Sequence, residues 1–286
     1  MEDSVKEAFH QNEQTSRTLE YAFDDFAVAQ MAKLLADSLE YQKNKGNLLF
    51  LDKKMLLADY EQLMRRSENW RYVINPKTGW ADGRHQNRKW ENNLDLVHRK
   101  SYITEGAICH YTWYVPQNVE GLFQVINNSG QNVITRLDRM FDEGLYWHGN
   151  EPCHQIAYLY NKAGAPWKTQ QRIHHILNTE YNDTPGGLSG NDDAGQMSAW
   201  YMFSAIGFYP VCPATPYYYI GTPSFDKVTF NLENGRKFEI VAEGVDDENF
   251  YIQQVDLNGK SGYYLSHDDL LKGGKLSFRM GNSPKY

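Results

Sequence analysis

Apolar residues in the first two-thirds of the chain recur at three- and four-residue steps. Phe23, Ala27, Met31, Leu34 and Leu35 share one helical face, and Leu56, Tyr60, Leu63 and Met64 share another. The spacing predicts two amphipathic helices. Next comes a loop, "NPKTGWADGRHQ", punctuated by Pro and Gly and polar enough for the surface. Segments 112–127, 131–142, 154–162, 167–181 and 196–207 are further helical candidates. Short helices separated by Gly-bearing polar loops imply stacked helical hairpins. From about residue 217 the period changes to two: "KVTFNL", "KFEIVAE", "YIQQVDL" and "KLSFRMG" alternate apolar and polar, and Asn234-Gly235 and Asn258-Gly259 are hairpin-turn signals. The expected architecture is mainly α, with helical hairpins over 1–212 and a small antiparallel β region over 213–286.

Composition narrows the possible partners. With 36 acidic against 29 basic residues the formal charge is −7, which argues against general affinity for nucleic acid or an anionic membrane. A neutral partner is the better expectation. Twenty Tyr and seven Trp are more than a core of this size needs, and aromatic faces hold sugar rings through their C–H edges. Cys109, Cys153 and Cys212 cannot all pair and show no CxxC spacing, so a disulfide framework is not expected. "MEDSVKEAFH" has acidic residues and no apolar h-region, hence no signal peptide in this chain, which leaves the compartment open. No stretch approaches the roughly 18 apolar residues of a membrane span.

The chemistry gathers in loops before helices. "YITEGAICHYTW" puts Glu105 at the mouth of one helix, "YWHGNEPCHQ" puts Asn150 and Glu151 directly before Pro152, and "GNDDAGQMSAW" puts Asp192 and Asp193 before another. The bland reading of the aspartate pair is a helix cap, since carboxylates accept N-terminal backbone N–H groups and suit the positive end of the helix dipole. If the hairpins form a ring, loops at equivalent helix ends fall on one rim and the carboxylates converge. Asn150, Glu151 and Asp192 are all oxygen donors, a set suited to calcium rather than zinc or copper. The rival set His148, Cys153 and His154 matches no structural zinc spacing; each histidine reads as hydrogen-bonded in a helix turn. Two carboxyl groups, one protonated and one ionised, are the minimum for hydrolysing a glycosidic bond with inversion. The residues alone therefore point to a metal-assisted hydrolase, with sugars as the candidate substrate.

Five stretches, "SRTLEYAFDDFAVAQMA", "YITEGAICHYTWYVPQNVEGL", "YWHGNEPCHQIAYLYNKAGAPWKTQ", "GNDDAGQMSAWYMFSAIGFYPVCPATPYYYIGTPSF" and "ENGRKFEI", in this order, resemble the C-terminal part of the calcium-dependent α-mannosidases of glycoside hydrolase family 92. The resemblance covers nearly the whole chain. It implies a partial (α/α)6 toroid followed by β-rich portions, and exo-acting, inverting attack on α-linked mannose of glycans with Ca2+ as cofactor. By the same resemblance Glu105 is the general acid and Asp193 the base, with Asp192 beside it. Asn150, Glu151 and Asp192 are the implied calcium ligands.

The chain departs from the family in two ways. After "TEG" it carries Ala107, Ile108, Cys109 and His110 where the family commonly has Asn-Ala-Trp-Gln, which bears on linkage preference. Family members are also much longer, so the resemblance implies a fragment whose partner is a missing N-terminal segment of the same enzyme. Three other readings compete: a glycosidase uncapping mannosyl phosphodiesters, a non-catalytic carbohydrate-binding remnant, and another sugar-active toroid such as a phosphorylase.

Overall fold

The computed structural model describes residues 13–44, 52–92, 94–259 and 262–285. The chain divides into two compact units, Met1–Gln131 and Asn132–Tyr286. The first contains α1 (Gln14–Asn44), α2 (Lys53–Arg66), the short α3 (Ile108–Tyr111) and α4 (Val119–Asn128). The Asp52 carboxylate caps α2, accepting the N–H groups of Lys54 at 2.6 Å and Met55 at 3.3 Å, and Arg65 and Arg66 complement its C-terminal end. Leu56, Tyr60, Leu63 and Met64 form its half-buried side, as the spacing predicts.

Helix α1 forms where expected but buries a different face. Leu19, Ala22, Ala29, Ala32, Ala36 and Leu39 lie inside, whereas Met31 is 63% exposed and Leu34 70%. Both sides of α1 are apolar, and small alanines let α2 approach closely. The larger residues are left outside, so periodicity could not choose the inner face. The "NPKTGWADGRHQ" loop is also more buried than its polarity suggests. Asn75 and Asp82 are buried and bonded to each other, Asn75 Nδ2 donating to Asp82 Oδ2 at 3.0 Å. Burial raises the Asp82 carboxyl above the usual range. Within 112–127, a single 3-10 turn at Pro116–Asn118 precedes α4, whose N-terminus is capped by the Asn118 side chain accepting Gly121 N–H at 2.9 Å.

The second unit contains α5 (Val133–Asp142), α6 (Leu159–Lys162), α7 (Pro166–Thr179) and α8 (Gln196–Ile206). The helix expected over 154–162 is instead a 3-10 turn at Ile156–Tyr158 leading into α6. Residues 152–160 are buried throughout, so packing on every side, rather than one apolar face, sets their path. Gly207 ends α8 at φ +109°, its N–H reaching the carbonyls of Phe203 and Ser204.

Two sheets follow. β1 (Phe208–Tyr209), β2 (Tyr217–Ile220) and β6 (Tyr264–Ser266) make a small antiparallel sheet. β3 (Lys227–Asn231), β4 (Lys237–Glu243), β7 (Gly274–Gly281) and β5 (Tyr251–Leu257) make the second, in that order. Alternation along β4 and β7 buries Phe238, Ile240, Ala242, Leu276, Phe278 and Met280 in one core. The Asn234-Gly235 signal lies in the loop joining β3 to β4. Asn258-Gly259 also turns the chain, with φ +49° and +87°, but β5 does not pair with the next strand: β6 belongs to the other sheet. The short helix α9 (His267–Leu271) follows β6, and β7 then returns between β5 and β4, pairing parallel with β4. Period-two patterns identify these strands without revealing that exchange.

Candidate active site

Two of the carboxylate-bearing loops meet backbone to backbone in the second unit. A Cβ added to Gly149 would lie 2.6 Å from the Ser189 carbonyl oxygen, and one added to Gly190 would run into the Gly149 carbonyl. Only glycine permits this approach. The structure thereby brings the segment carrying Asn150 and Glu151 against the segment leading to Asp192 and Asp193.

Beneath the loops lies an aromatic and histidine floor. Tyr181 donates its hydroxyl to the Met197 carbonyl at 3.1 Å, so it accepts from His148 Nε2 at 2.6 Å; His148 Nδ1 then accepts from Tyr146 at 2.7 Å. His154 Nε2 donates to the His148 carbonyl at 3.0 Å, and its Nδ1 accepts from Gln196 Nε2 at 3.1 Å. Trp200 Nε1 donates to the His154 carbonyl at 2.9 Å, and its ring meets His148 edge-on at 4.3 Å. Both imidazoles are buried and neutral. Burial, reinforced by His154, drives His148 down to about 2. Burial also lowers His154 to about 4, against the opposing effects of its bond to the His148 carbonyl and the charge of Asp193. All four imidazole nitrogens are thus committed within the protein. This matches the hydrogen-bonded reading and leaves the His148, Cys153, His154 metal set without available histidine donors. The three cysteines are buried.

The adjacent aspartates have different surroundings. Asp192 Oδ1 accepts Ser198 N–H at 2.9 Å and its carbonyl accepts Met197 N–H at 3.2 Å, so the helix-capping reading holds for Asp192. Asp193 is exposed, and among the described residues nothing hydrogen-bonds its carboxylate. It opens a run of three left-handed residues: Asp193 at φ +47°, Ala194 at +57° and Gly195 at +95°. Two of these are not glycine, a conformation that costs energy and that the surrounding structure must hold in place. Glu151 begins a 3-10 turn, Glu151–Cys153, with Pro152 in its first turn.

Glu105 belongs to the first unit. It too is exposed and left-handed, at φ +46°, in the loop before α3. Thr104 anchors that loop, donating its N–H to Ser16 Oγ at 3.0 Å while the two hydroxyls lie 2.9 Å apart. Tyr111 donates to Glu20 at 2.8 Å, and Glu20 is raised chiefly by burial, with a smaller contribution from the charge of Glu105. Ala107, Ile108 and Cys109 are core residues, whereas His110 Nδ1 accepts the Ala107 N–H at 3.2 Å and closes the turn.

Asn150, Glu151 and Asp192 fit a hard cation in donor chemistry, one amide and two carboxylates on abutting loops. Among the described residues no group of three or more His, Cys, Asp or Glu is arranged to hold a metal. Sequence reasoning missed Tyr146, Tyr181, Gln196 and Tyr209, whose hydroxyl accepts from Gln196 Nε2 at 3.3 Å. The only signal for the three tyrosines was the excess of that residue, which does not say which ring lies beneath which loop.

Residues 3–282 match the glycosyl hydrolase family 92 catalytic domain; the chain belongs to that family. The structure is similar to the family 92 α-mannosidase of Bacteroides thetaiotaomicron, with TM-score 0.83 and 40% identity over 96% of this chain and 35% of that one. Against the same α-mannosidase in complex with mannoimidazole the TM-score is 0.84, with 37% identity over 96% of this chain and 37% of that one. A family 92 inverting mannosidase of the same species gives 0.80 and 33% identity, over 95% of this chain and 38% of that one. An uncharacterized secreted glycosidase of Arthroderma benhamiae is 26% identical over 93% of this chain and 35% of its own length. The chain therefore spans little more than a third of the length of these relatives. Among the described residues no helix is long and apolar enough to cross a membrane.

Proposed function

We propose that the chain carries catalytic residues of a calcium-dependent, inverting exo-α-mannosidase acting on α-linked mannose of glycans. The observation that carries this reading is the pair of exposed carboxylates, Glu105 and Asp193, each in left-handed backbone at φ +46° and +47°, within a chain of family 92 whose relatives include α-mannosidases. Strain retained at two solvent-facing acids is a mark of a working site. Glu105 donates its proton to the departing glycosidic oxygen. Asp193 takes a proton from water as that water attacks the anomeric carbon from the opposite face, giving β-mannose. Asn150, Glu151 and Asp192 would hold calcium, whose positive charge would lower the repulsion between neighbouring carboxylates and favour the ionised form. His154 adds no positive charge, because burial keeps it neutral. The exposed stripe of Val28, Met31 and Leu34 on α1 supports contact with polypeptide of the same enzyme outside this chain.

The test compares two substitutions on two substrates. Glu105→Gln is expected to slow α-mannosides with basic leaving groups by about 10² to 10⁴ and activated aryl mannosides far less, because a good leaving group needs no proton. Asp193→Asn is expected to slow both comparably, with β-mannose as the first product anomer by NMR. Chelation with EGTA is expected to abolish turnover, and calcium to restore it better than zinc. Equal slowing by Glu105→Gln with leaving-group dependence in Asp193→Asn would reverse the two roles.

A further inference from the structure

A polar cavity of about 520 Å3 lies within the first unit. Thr18 of α1 and Asn69 and Tyr72 of the turn after α2 line it, together with Arg84, His85 and Arg88. The last three belong to a tight hairpin. Arg84 bridges to Trp90, His85 N–H donates to the Lys89 carbonyl at 2.9 Å, and Arg88 sits at the bend with φ +65°. This bend puts two permanent cations on one cavity wall.

Arg84 is held in place before any ligand arrives. Its guanidinium carbon lies 4.9 Å from the Trp90 ring centre and 5.9 Å from that of Tyr72, and Nη1 donates to the Tyr72 carbonyl at 3.2 Å. Its Nε is buried and has no hydrogen-bond partner among the described residues. That orphaned N–H is a cost of holding the side chain in this position. Two acids are already engaged: Glu91 lies 2.7 Å from His85 Nε2, while Glu68 is 2.6 Å from Arg71 and accepts from Asn118 at 2.8 Å. No carboxylate pairs with Arg84 or Arg88 among the described residues, so the wall keeps its positive charge.

We propose that this cavity is a binding site for an oxyanion, a phosphate or carboxylate group, received by the guanidinium groups of Arg84 and Arg88. A planar guanidinium with preset donors matches the oxygens of either anion. A neutral sugar hydroxyl would leave two charges uncompensated. Tyr72 supplies a flat face beside the anion, suited to the ring that bears it. On the mannosidase reading, on which this clause alone rests, that ring is a charged sugar residue of the glycan.

The experiment is isothermal titration calorimetry of the Met1–Tyr286 chain at low ionic strength with four probes: inorganic phosphate, a hexose phosphate, a hexuronate and neutral mannose. Saturable binding of the anions is expected, weakened by added salt, with the sugar-borne anions tighter than inorganic phosphate. Arg88→Asn, which removes the charge while tolerating the left-handed bend, is expected to weaken anion binding about tenfold or more. Arg84→Lys, which keeps a charge but loses the planar guanidinium, is expected to do the same, and Lys275→Gln on β7 to leave binding unchanged. Failure of all anions to bind, affinity unaltered in Arg88→Asn, or mannose binding here as well as the anions would overturn the site. Equal affinity for inorganic phosphate and both sugar anions would overturn its assignment to a charged sugar. No readout depends on turnover, so loss of the mannosidase reading would leave the oxyanion site standing.

Discussion

The floor beneath the two abutting loops and the outer face of α1 are both rich in large apolar side chains, yet they use them in opposite ways. In the floor Trp200, Tyr158 and Tyr209 lie inside, Tyr158 and Tyr209 stacked at 5.1 Å, and both imidazoles are fully bonded. Along α1 the alanines lie inside while Met31 and Leu34 face outward. The floor is a core closed by its own unit, with each polar group answered at short range. The α1 stripe has the composition of a surface that another surface covers. An apolar residue thus signals a need for cover, but whether its own unit supplies the cover depends on what packs against the helix.

Four measurements test this contrast. Trp200→Ala, removing the ring that joins the floor, is expected to cost about 3–5 kcal/mol in urea unfolding. A loss under about 1 kcal/mol would mean the floor is not a closed core. Acidification comes next. The unfolded chain binds protons at its histidines near the ordinary value of 6.5, whereas folded His154 refuses one until about pH 4. The contribution of His154 to stability is therefore complete above pH 6.5 and is lost as pH drops through this window, by on the order of 3 kcal/mol. His154→Gln is expected to flatten that slope; an unchanged slope would place the acid sensitivity elsewhere. Tyr146→Phe removes the donor to His148 Nδ1 and should cost about 1 kcal/mol, read as a shift in urea midpoint. Leu34→Ser is expected to change stability by less than about 0.5 kcal/mol while reducing self-association in sedimentation. A larger loss would show that Leu34 is already covered.

Much of this was legible in the sequence where a residue's role is local. Alternation over β4 and β7 fixes which side chains turn inward, whereas the caps at Asp52 and Asn118 and the helix end at Gly207, equally local, were not read from the sequence. The loops carrying Asn150, Glu151, Asp192 and Asp193 were recognisable from their acids before helices. Their mutual contact was not, because it depends on Gly149 and Gly190 lacking side chains, and in sequence these look like ordinary turn glycines. The inner face of α1 was unreadable for a different reason: two apolar faces compete, and the choice follows from how closely α2 can approach. The buried Asn75–Asp82 pair escaped notice because polarity was taken to mean exposure, whereas a hydrogen bond between two complementary side chains helps to hold both inside.

The exchange of strands between sheets has a consequence for how the second unit is made. β7 lies in the interior of its sheet, between β4 and β5, although it is the last strand in sequence. As a nascent chain emerges from its N-terminal end, the β3–β4 hairpin can close at once, but β4 and β5 each keep a bare edge until residues 274–281 arrive to lie between them. Unpaired edges of this kind recruit other strands, and a sheet completed by distant segments closes slowly. The vulnerable interval for this protein is thus the time between synthesis of β4 and release of β7, when a chaperone would have the most to protect.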